Sequence, residues 1–435
     1  MAQPVIVQDA TLRQFARSLA GVFSQPQWKY FVIVLLGLLH NDSAQTLCGL
    51  LRQVATMASV SGLSRFLCQA PWSVEALTAL RQRRFDAQMA AAIHQAHATQ
   101  REQRLRRRGR PRETVVTGFL ILDDSTHVKR YAAAMEGQGW HYSSTERRCM
   151  PGHSLFQGVY CLLGRVLPLT PQLYRQKAVC AREGTPFQSK VDLAVQAIQR
   201  FVPPPDTHTH VLVDAWYVSK RVWQAARQRG WDFTGGLKAN RQLRRSLADG
   251  QRVWLSLADY AAHLMPEDFQ AVCWPNQVGG HVVYGHLMRT RVKKLGACQV
   301  LVVKPLPDAP SQQYRYWVTS RLTDSLEQVV AAAATRWTIE VLFADLKELM
   351  GSDQYQVRSA QAIIRFWALG LCLYQYLDEQ RGGLQALRQQ PVTLGETRTW
   401  LRQRHNDLLL DWIGMQFTAG ATADQLRSRL RPALT

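Results

Sequence analysis

The sequence predicts an α/β protein whose core is flanked by helical regions and interrupted by a β-rich insertion. Apolar residues recur at helical spacing over residues 10–96, and short β-branched runs alternate with helical segments over residues 115–237. Helical spacing returns after Ser325. Because 46% of the 435 residues are hydrophobic, the chain has enough apolar surface for two or three folded domains.

The N-terminal region, residues 1–100, is predicted to be an all-helical DNA-binding domain. Its helical pattern is broken at residues 41–43, which read Asn-Asp-Ser, and again at Ala70. Proline follows Ala70, and a residue before proline disfavours helix.

A basic linker is predicted over residues 101–113, and within residues 101–112 seven arginines face one glutamate. It closes with Arg-Gly-Arg-Pro-Arg, similar to the arginine-glycine-arginine-proline core that enters narrow A·T minor grooves. An extended arginine pair matches the negative potential of that groove. The predicted DNA-binding residues of the linker are Arg106, Arg107, Arg108, Arg110 and Arg112. A solvated linker with spare charge is the alternative.

The core is predicted in two parts, residues 114–237 and 323–381. The first part has the order β-β-β-α-β-α-β, with strands at 115–122, 155–163, 165–174, 210–213 and 231–237 and helices at 187–201 and 219–229. Residues 238–322 alternate in polarity between glycine and proline breakers, which predicts a separate β-rich insertion.

The second part of the core is predicted to be helical. A long helix over residues 325–350 is opened by Ser325 and Gln328 as a capping box, and a second helix covers residues 359–380. Residues 382–435 form a basic helical C-terminal region.

The charge balance points to a polyanionic partner. An excess of 53 Lys and Arg over 32 Asp and Glu gives a net charge of +21, which fits nucleic acid better than a small neutral substrate. Attraction to anionic lipid, or solubility alone, is the alternative.

No export or membrane anchoring is expected. The eight cysteines have neither disulfide-framework nor zinc-finger spacing, which favours reduced, mostly buried thiols. The longest N-terminal apolar run, residues 30–39, is about half of what a membrane span needs. We therefore expect a cytoplasmic, nucleoid-associated protein.

Three carboxylates carry the predicted chemistry. Asp123 and Asp124 close the first predicted strand, Asp214 closes the fourth, and Glu340 lies within the long helix. Acids at the carboxyl ends of neighbouring strands point to one crevice, and three of them can hold two Mg²⁺ ions for phosphodiester cleavage. Turn, capping or surface roles are the alternative for each acid taken singly.

Only one of the two adjacent aspartates can face that crevice, because alternate strand residues point to opposite faces. We select Asp124, since hydroxyl residues follow it, and keep Asp123 as its rival.

The helix motif resembles the third-acid motif of bacterial insertion-sequence DDE transposases. Three residues separate Arg336 from Glu340 and six separate Glu340 from Lys347, as in the tyrosine, arginine, glutamate and lysine pattern of that family. Ala333 stands where the family has tyrosine. Asp124-Ser125-Thr126 is similar to the first-acid motif, and Val213-Asp214-Ala215 to the second.

Two further segments bear on this resemblance. Residues 63–72, reading LSRFLCQAPW, resemble part of the N-terminal domain in one branch of the family; an ordinary packed helix end is the alternative. Trp254, Trp274 and Trp317 of the insertion could stack on an unpaired base, although core packing is the expected role of each.

The resemblance implies an RNase H-like core and a cut-and-paste transposase. In that scheme Asp124, Asp214 and Glu340 are catalytic metal ligands for two Mg²⁺ ions, with Mn²⁺ as a substitute, and Arg336 and Lys347 bind DNA. Ion pairing of Arg336 and Lys347 along their helix is the alternative. The implied partners are double-stranded DNA, at the element ends and at the target, and a second copy of the chain in a DNA-bound homodimer. A hairpin intermediate occurs in related members.

Two rival functions remain open. One is a metal-dependent nuclease that uses the same acids without strand transfer. The other is a DNA-binding regulator descended from a transposase and no longer catalytic.

Overall fold

A computed structural model describes residues 9–41, 45–52, 54, 58–105, 115–132, 134–143, 145–246, 250–275 and 279–430. These residues form an α/β structure in which one mixed sheet is packed between helices on both faces. No helix of these ranges combines the length and the hydropathy required to cross a membrane.

The N-terminal part is helical, as the spacing of its apolar residues predicts. It contains α1 (Ala10–Ser18), α2 (Gln25–His40), α3 (Leu47–Arg52), α4 (Val60–Cys68) and α5 (Val74–Leu105).

These helices share a core with the C-terminal half of the chain. Phe15, Leu35 and Leu67 are buried in the same cluster as Phe366, on the long helix α12 (Ala360–Arg388). The limits of the predicted N-terminal domain, residues 1–100, stay a prediction.

The predicted element order of the core is confirmed in outline, with three differences: a strand at residues 139–143 and a helix at residues 177–183 are additional, and the strand predicted over residues 165–174 is divided in two. The strands are β1 (Val116–Val128), β2 (Gly139–Ser143), β3 (Arg148–Leu162), β4 (Arg165–Pro168), β5 (Gln172–Tyr174), β6 (Thr207–Val213) and β7 (Asp232–Leu237). The helices among them are α6 (Lys177–Glu183), α7 (Lys190–Arg200) and α8 (Lys220–Gln228). β1 is antiparallel to β3 and parallel to β6, which is parallel to β7.

β1 is longer than the sequence predicts. The strand does not close at Asp124, because its pairing with β3 continues as far as Val128, which lies opposite Gly152. Asp123 and Asp124 therefore lie within a strand rather than at its end.

The insertion is β-rich, as predicted, but its strands continue the core sheet. It contains β8 (Gln242–Ser246), β9 (Arg252–Ser256), α9 (Leu257–Ala262), β10 (Gln270–Trp274), β11 (His281–Val292), β12 (Gly296–Lys304) and β13 (Arg315–Thr319). β13 is antiparallel to β7, so the strands run in the order β2-β3-β1-β6-β7-β13-β12-β11-β8-β9. We had expected a separate unit; the hydrogen bonds from β13 to β7 join it to the core.

The long helix predicted over residues 325–350 is divided in two. α10 (Leu326–Thr335) begins at the predicted Ser325 capping box, and α11 (Thr338–Glu348) follows it. Between them the backbone forms i to i+3 hydrogen bonds, for example from the amide of Trp337 to the carbonyl of Ala334. Such tighter turns interrupt an α-helix without a proline. The C-terminal helices are α12, α13 (Leu394–Thr418) and α14 (Ala423–Leu430).

The two faces of the sheet carry different cores. Ile121 and Leu212 face a cluster with Ile339 of α11 and residues of α12. Leu120, Leu122 and the neighbouring Val211 and Val213 face a second cluster with residues of α7 and α8. Alternate residues of β1 therefore point to different helices, as strand geometry requires.

Candidate active site

Strand alternation separates the two adjacent aspartates of β1. Ile121 faces α11, so Asp123, two residues on, lies on that same face. Asp124 follows Leu122 on the face covered by α7 and α8.

Asp123 and Glu340 share one guanidinium group. Nη1 of Arg336 lies 3.3 Å from Oδ2 of Asp123, and Nη2 of Arg336 pairs with the carboxylate of Glu340 one turn along. The Arg336 side chain is only 12% exposed, so this charge is held inside the protein. The break between α10 and α11 falls at this arginine.

Asp214 joins this group from the neighbouring strand. Leu122 lies opposite Val213 in the parallel pair of β1 and β6, so Asp123 and Asp214 are the next residues of the two strands. The charge of Asp214 is one of the causes that raise the pKa of Asp123. Arg336 thus links Asp123 to Glu340, and Asp214 lies beside Asp123.

Burial raises the pKa of Asp123 to about 7. The negative charge of Asp124 raises it further, while a hydrogen bond from the Asp124 amide and the charge of Arg336 lower it. Asp123 therefore lies near other negative charges, and a bound cation would stabilise its charged form.

Asp124 is engaged elsewhere. It accepts hydrogen bonds from Lys190 Nζ at 2.5 Å, from the Tyr217 hydroxyl at 2.5 Å and from Ser154 Oγ at 3.1 Å. We expected Asp124 to share the site with Glu340; in the structure it is Asp123 that shares Arg336 with Glu340, and which of the two aspartates is a metal ligand stays a prediction. The hydroxyl residues that follow Asp124 did not indicate the direction of its side chain, because that direction is set by the register of β1.

Lys347 lies on the same sheet face as Glu340 but farther along β1. Its Nζ is 3.4 Å from the backbone carbonyl of Thr126, and burial lowers its pKa. Arg336 makes the ion pair with Glu340 that was the alternative to DNA binding. Ala333 is buried in α10, where the family motif has tyrosine.

The donor set suits a hard divalent cation. Carboxylate oxygens are the ligands that Mg²⁺ takes in proteins, and the Arg336 guanidinium provides positive charge between two of the three acids. Within the described ranges, no three His, Cys, Asp or Glu side chains are close enough together to hold a metal ion.

The other residues singled out from the sequence have simpler roles or lie elsewhere. Trp274 and Trp317 pack against each other, with ring centroids 6.1 Å apart, beside a small core under the insertion, whereas Trp254 is exposed. Trp72 of the LSRFLCQAPW segment stacks on Phe66 as a packed helix end. The five arginines of the linker, residues 106–112, lie outside the described residues.

The cysteines differ in part from expectation. All eight are free thiols. Four are buried, one is half-buried, and Cys48, Cys149 and Cys273 are exposed, so the expectation of mostly buried thiols holds for only about half of them.

Two family models match the chain. The model described as DDE superfamily endonuclease matches residues 19–251, and the model described as transposase DDE domain matches residues 188–376. The first spans more than half of the chain and includes Asp123 and Asp214; the second includes Asp214 and Glu340.

Other comparisons give less. No curated protein matches the chain. Among solved structures, the chain is similar to a cryo-EM structure of a piggyBac transposase synaptic complex with hairpin DNA, at 11% identity and a TM-score of 0.41. The match covers 73% of this chain and 57% of the piggyBac chain, so the chain spans less than two thirds of that relative; a TM-score at this level supports no statement about function.

The chain belongs to the DDE superfamily of endonucleases. The similarity of residues 188–376 to the transposase DDE domain supports a transposase within that superfamily.

Proposed function

We propose that this protein binds the ends of its mobile element, hydrolyses phosphodiester bonds there with divalent metal ions, and joins the freed 3′-hydroxyl to target DNA. The observation that supports the proposal is that Arg336 pairs with both Asp123 and Glu340, while Asp214 follows the strand beside Asp123. Two cations held by three such acids activate water or a hydroxyl on one side and stabilise the leaving oxygen on the other.

Asp123, Asp214 and Glu340 are the proposed metal ligands, with Mg²⁺ as the physiological ion and Mn²⁺ as a substitute. Asp123 takes the role first given to Asp124, because Arg336 links Asp123 to Glu340. Asp124 is proposed to be a positioning residue that fixes β1 to Lys190 of α7 and to Tyr217.

Arg336 is the proposed phosphate contact near the reacting bond. Its guanidinium already lies between two of the acids, and a DNA phosphate offers it a competing anionic partner. Release of Glu340 from Arg336 would free that carboxylate for the metal. Lys347 and the linker residues Arg106, Arg107, Arg108, Arg110 and Arg112 are proposed to contact the DNA backbone or minor groove farther away.

The protein is proposed to act as a homodimer on paired element ends, in association with the nucleoid. The homodimer follows from the implied chemistry, because two ends must be brought together before both are joined to one target.

Incubation with Mg²⁺ or Mn²⁺, a labelled element end and a plasmid tests the proposal. We expect metal-dependent nicking at the end, followed by products joined to the plasmid; a hairpin intermediate would migrate as a covalently closed end. Cleavage without joined products would indicate a metal-dependent nuclease that does not carry out strand transfer. If no end sequence is cleaved in the presence of metal, the result would indicate a DNA-binding regulator.

A further inference from the structure

Four arginines lie on the three strands at the far end of the sheet, beyond β12. Arg289 and Arg291 belong to β11, Arg244 belongs to β8 and Arg252 belongs to β9. Arg252, Arg289 and Arg291 are exposed, and Arg244 is half-buried. We call these four residues the basic face of the insertion, because they share one side of the sheet.

Alternation along β11 places Arg289 and Arg291 on the side of the sheet that α10 covers. Leu287 packs against the small core that the insertion forms with α10. Residues two and four positions further along a strand lie on the same side. The intervening Met288 packs against the opposite core, as this alternation requires.

Arg244 and Arg252 join the same side from β8 and β9. Leu243 is buried in the opposite core, where it lies opposite Val292 of β11. Arg244, the next residue of β8, therefore lies on the α10 side. Arg252 pairs with Ser246, two residues after Arg244, so it lies on that side as well.

The basic face has no counter-charge of its own. None of its four arginines forms an ion pair with a residue that the structure describes. Arg244 and Arg291 are neighbours across the antiparallel pair of β8 and β11, and like charges placed in this way repel each other. A bound polyanion would supply the missing negative charge.

The four acids that the structure describes in the insertion lie away from the basic face. Asp259 is in α9, which packs on the opposite core, and Glu267 and Asp268 follow that helix. Asp308 follows β12, at the end of that strand opposite to the turn from β11. The two sides of the insertion therefore differ in charge.

The basic face is on the same side of the sheet as Asp123. One row of paired residues joins Leu212, on the α11 side of β6, to Thr234, Thr319, Gln299 and Arg289. Paired residues lie on one side of a sheet. Five strand spacings of about 4.8 Å separate β1 from β11, which is roughly 24 Å, or about seven base pairs of duplex DNA.

We propose that the basic face binds the host DNA duplex that flanks the mobile element, before the end is cleaved. That the partner is DNA joined to an element end rests on the proposed function; that it is a duplex backbone rests on the four arginines without ion pairs. Contacts to phosphate carry no sequence information, so they suit flanking DNA, whose sequence differs at every insertion site.

The test uses labelled end duplexes in EDTA, where no cleavage occurs. The element side is constant, and the flank is absent, about 4 base pairs long, or about 16 base pairs long, so that only the longest flank reaches the basic face. Fluorescence anisotropy over a range of NaCl concentrations gives the binding constant K. We expect the longest flank to steepen the dependence of log K on log salt by up to about 3.6, since each phosphate contact contributes roughly 0.9, and the short flank to add little.

The combined variant Arg244→Gln, Arg289→Gln and Arg291→Gln should lose up to about 2.7 of that added slope and bind the duplex without a flank as the wild-type protein does. Replacement of the same three residues by lysine should keep the slope. Arg245→Gln is the matched control: Arg245 is the next residue of β8, on the opposite side, where it lies 5.6 Å from the ring centroid of Tyr260. Its replacement should leave the effect of the flank unchanged.

Three outcomes overturn the proposal: no effect of the long flank in the wild-type protein, an effect of the long flank that the combined glutamine variant keeps, or an equal loss by that variant on the duplex without a flank, which would place the element itself on the basic face. Failure of the proposed function looks different. A protein that neither prefers the element end nor joins it, but loses salt dependence on any long duplex in the combined variant, would have a DNA-binding insertion without being a transposase.

Discussion

Arg336 lies 3.3 Å from the carboxylate of Asp123 and also pairs with Glu340, so one guanidinium neutralises two of the three proposed metal ligands. The arginine belongs to the helical segment, whereas Asp123 belongs to β1, more than two hundred residues earlier. In the absence of metal this pair holds α11 against the sheet.

Arg336→Ala should therefore destabilise the metal-free protein. Removal of one partner leaves Asp123 and Glu340 without their counter-charge, and we expect the free energy of unfolding in EDTA to fall by about 1–3 kcal/mol, a range that allows for partial solvent screening. Addition of Mg²⁺ should restore part of the loss. Urea denaturation measures both effects.

The control for Arg336 is Arg427→Ala. Arg427 pairs with Asp424 at 3.0 Å on an exposed helix, where an ion pair contributes little. Equal stability of the wild-type protein and the Arg336 variant, with or without Mg²⁺, would contradict the role given to this arginine.

The basic linker gives a prediction about salt. Replacement of Arg106, Arg107, Arg108 and Arg110 by alanine should weaken DNA binding and flatten the dependence of log K on log salt by up to about 3.6, since each phosphate contact contributes roughly 0.9. Filter binding over a range of NaCl concentrations measures this slope. Replacement of the same four residues by lysine should keep the slope, and an unchanged slope in the alanine variant would make the run a passive linker.

The pairing of β1 with β3 can be tested at Gly152. A Cβ atom there would overlap the backbone carbonyl oxygen of His127 on β1, and neither strand can move away without losing the pairing that holds Asp123 in register. We expect Gly152→Ala to lower the free energy of unfolding by about 1–3 kcal/mol.

Gly414→Ala is the matched control, because Gly414 lies in α13 with open space around its Cα. Alanine should be neutral or stabilising there by up to about 1 kcal/mol. Equal stability of the two variants would mean that β1 and β3 do not pair as closely as described.

Buried His210 gives a prediction about pH. Burial lowers the pKa of His210 to about 3, against an unfolded value of roughly 6.5. The unfolded chain binds the proton more readily, so the contribution of neutral His210 to stability is complete above pH ~6.5 and is lost as the pH falls from there toward 3.

His210→Asn should remove this contribution, so that its stability relative to the wild-type protein rises as the pH is lowered from 7 to 5. Denaturation midpoints at several pH values give the comparison. His263→Asn, at an exposed position, should follow the wild-type curve. Parallel curves for the wild type and His210→Asn would contradict the buried, neutral histidine.

Much of the fold could be predicted from the sequence, because local signals determine it. The capping box at Ser325 begins α10 as expected, and the apolar run before Asp214 forms β6. The length of β1 could not be predicted, since it depends on the reach of its partner β3. The break at Arg336 could not be predicted either, because no proline or glycine marks it in the sequence.

The sequence predicts Asp214, Glu340 and one of two adjacent aspartates for the candidate site, but not the direction of each side chain. Alternation showed that only one of Asp123 and Asp124 could face Glu340, yet the choice needed the strand register. Lys190 and Tyr217, which bind Asp124, come from two other segments and have no sequence signal that links them to it.

The central claim is that Asp123, with Asp214 and Glu340, holds the catalytic metal ions. The most direct test is metal-dependent cleavage of a labelled element end by Asp123→Asn and Asp124→Asn, with end binding measured in parallel. Asp214→Asn and Glu340→Gln serve as references that should abolish cleavage and leave binding intact. The account predicts that Asp123→Asn matches these references, while Asp124→Asn retains measurable cleavage at lower protein stability. Full cleavage by Asp123→Asn, with none by Asp124→Asn, would contradict it.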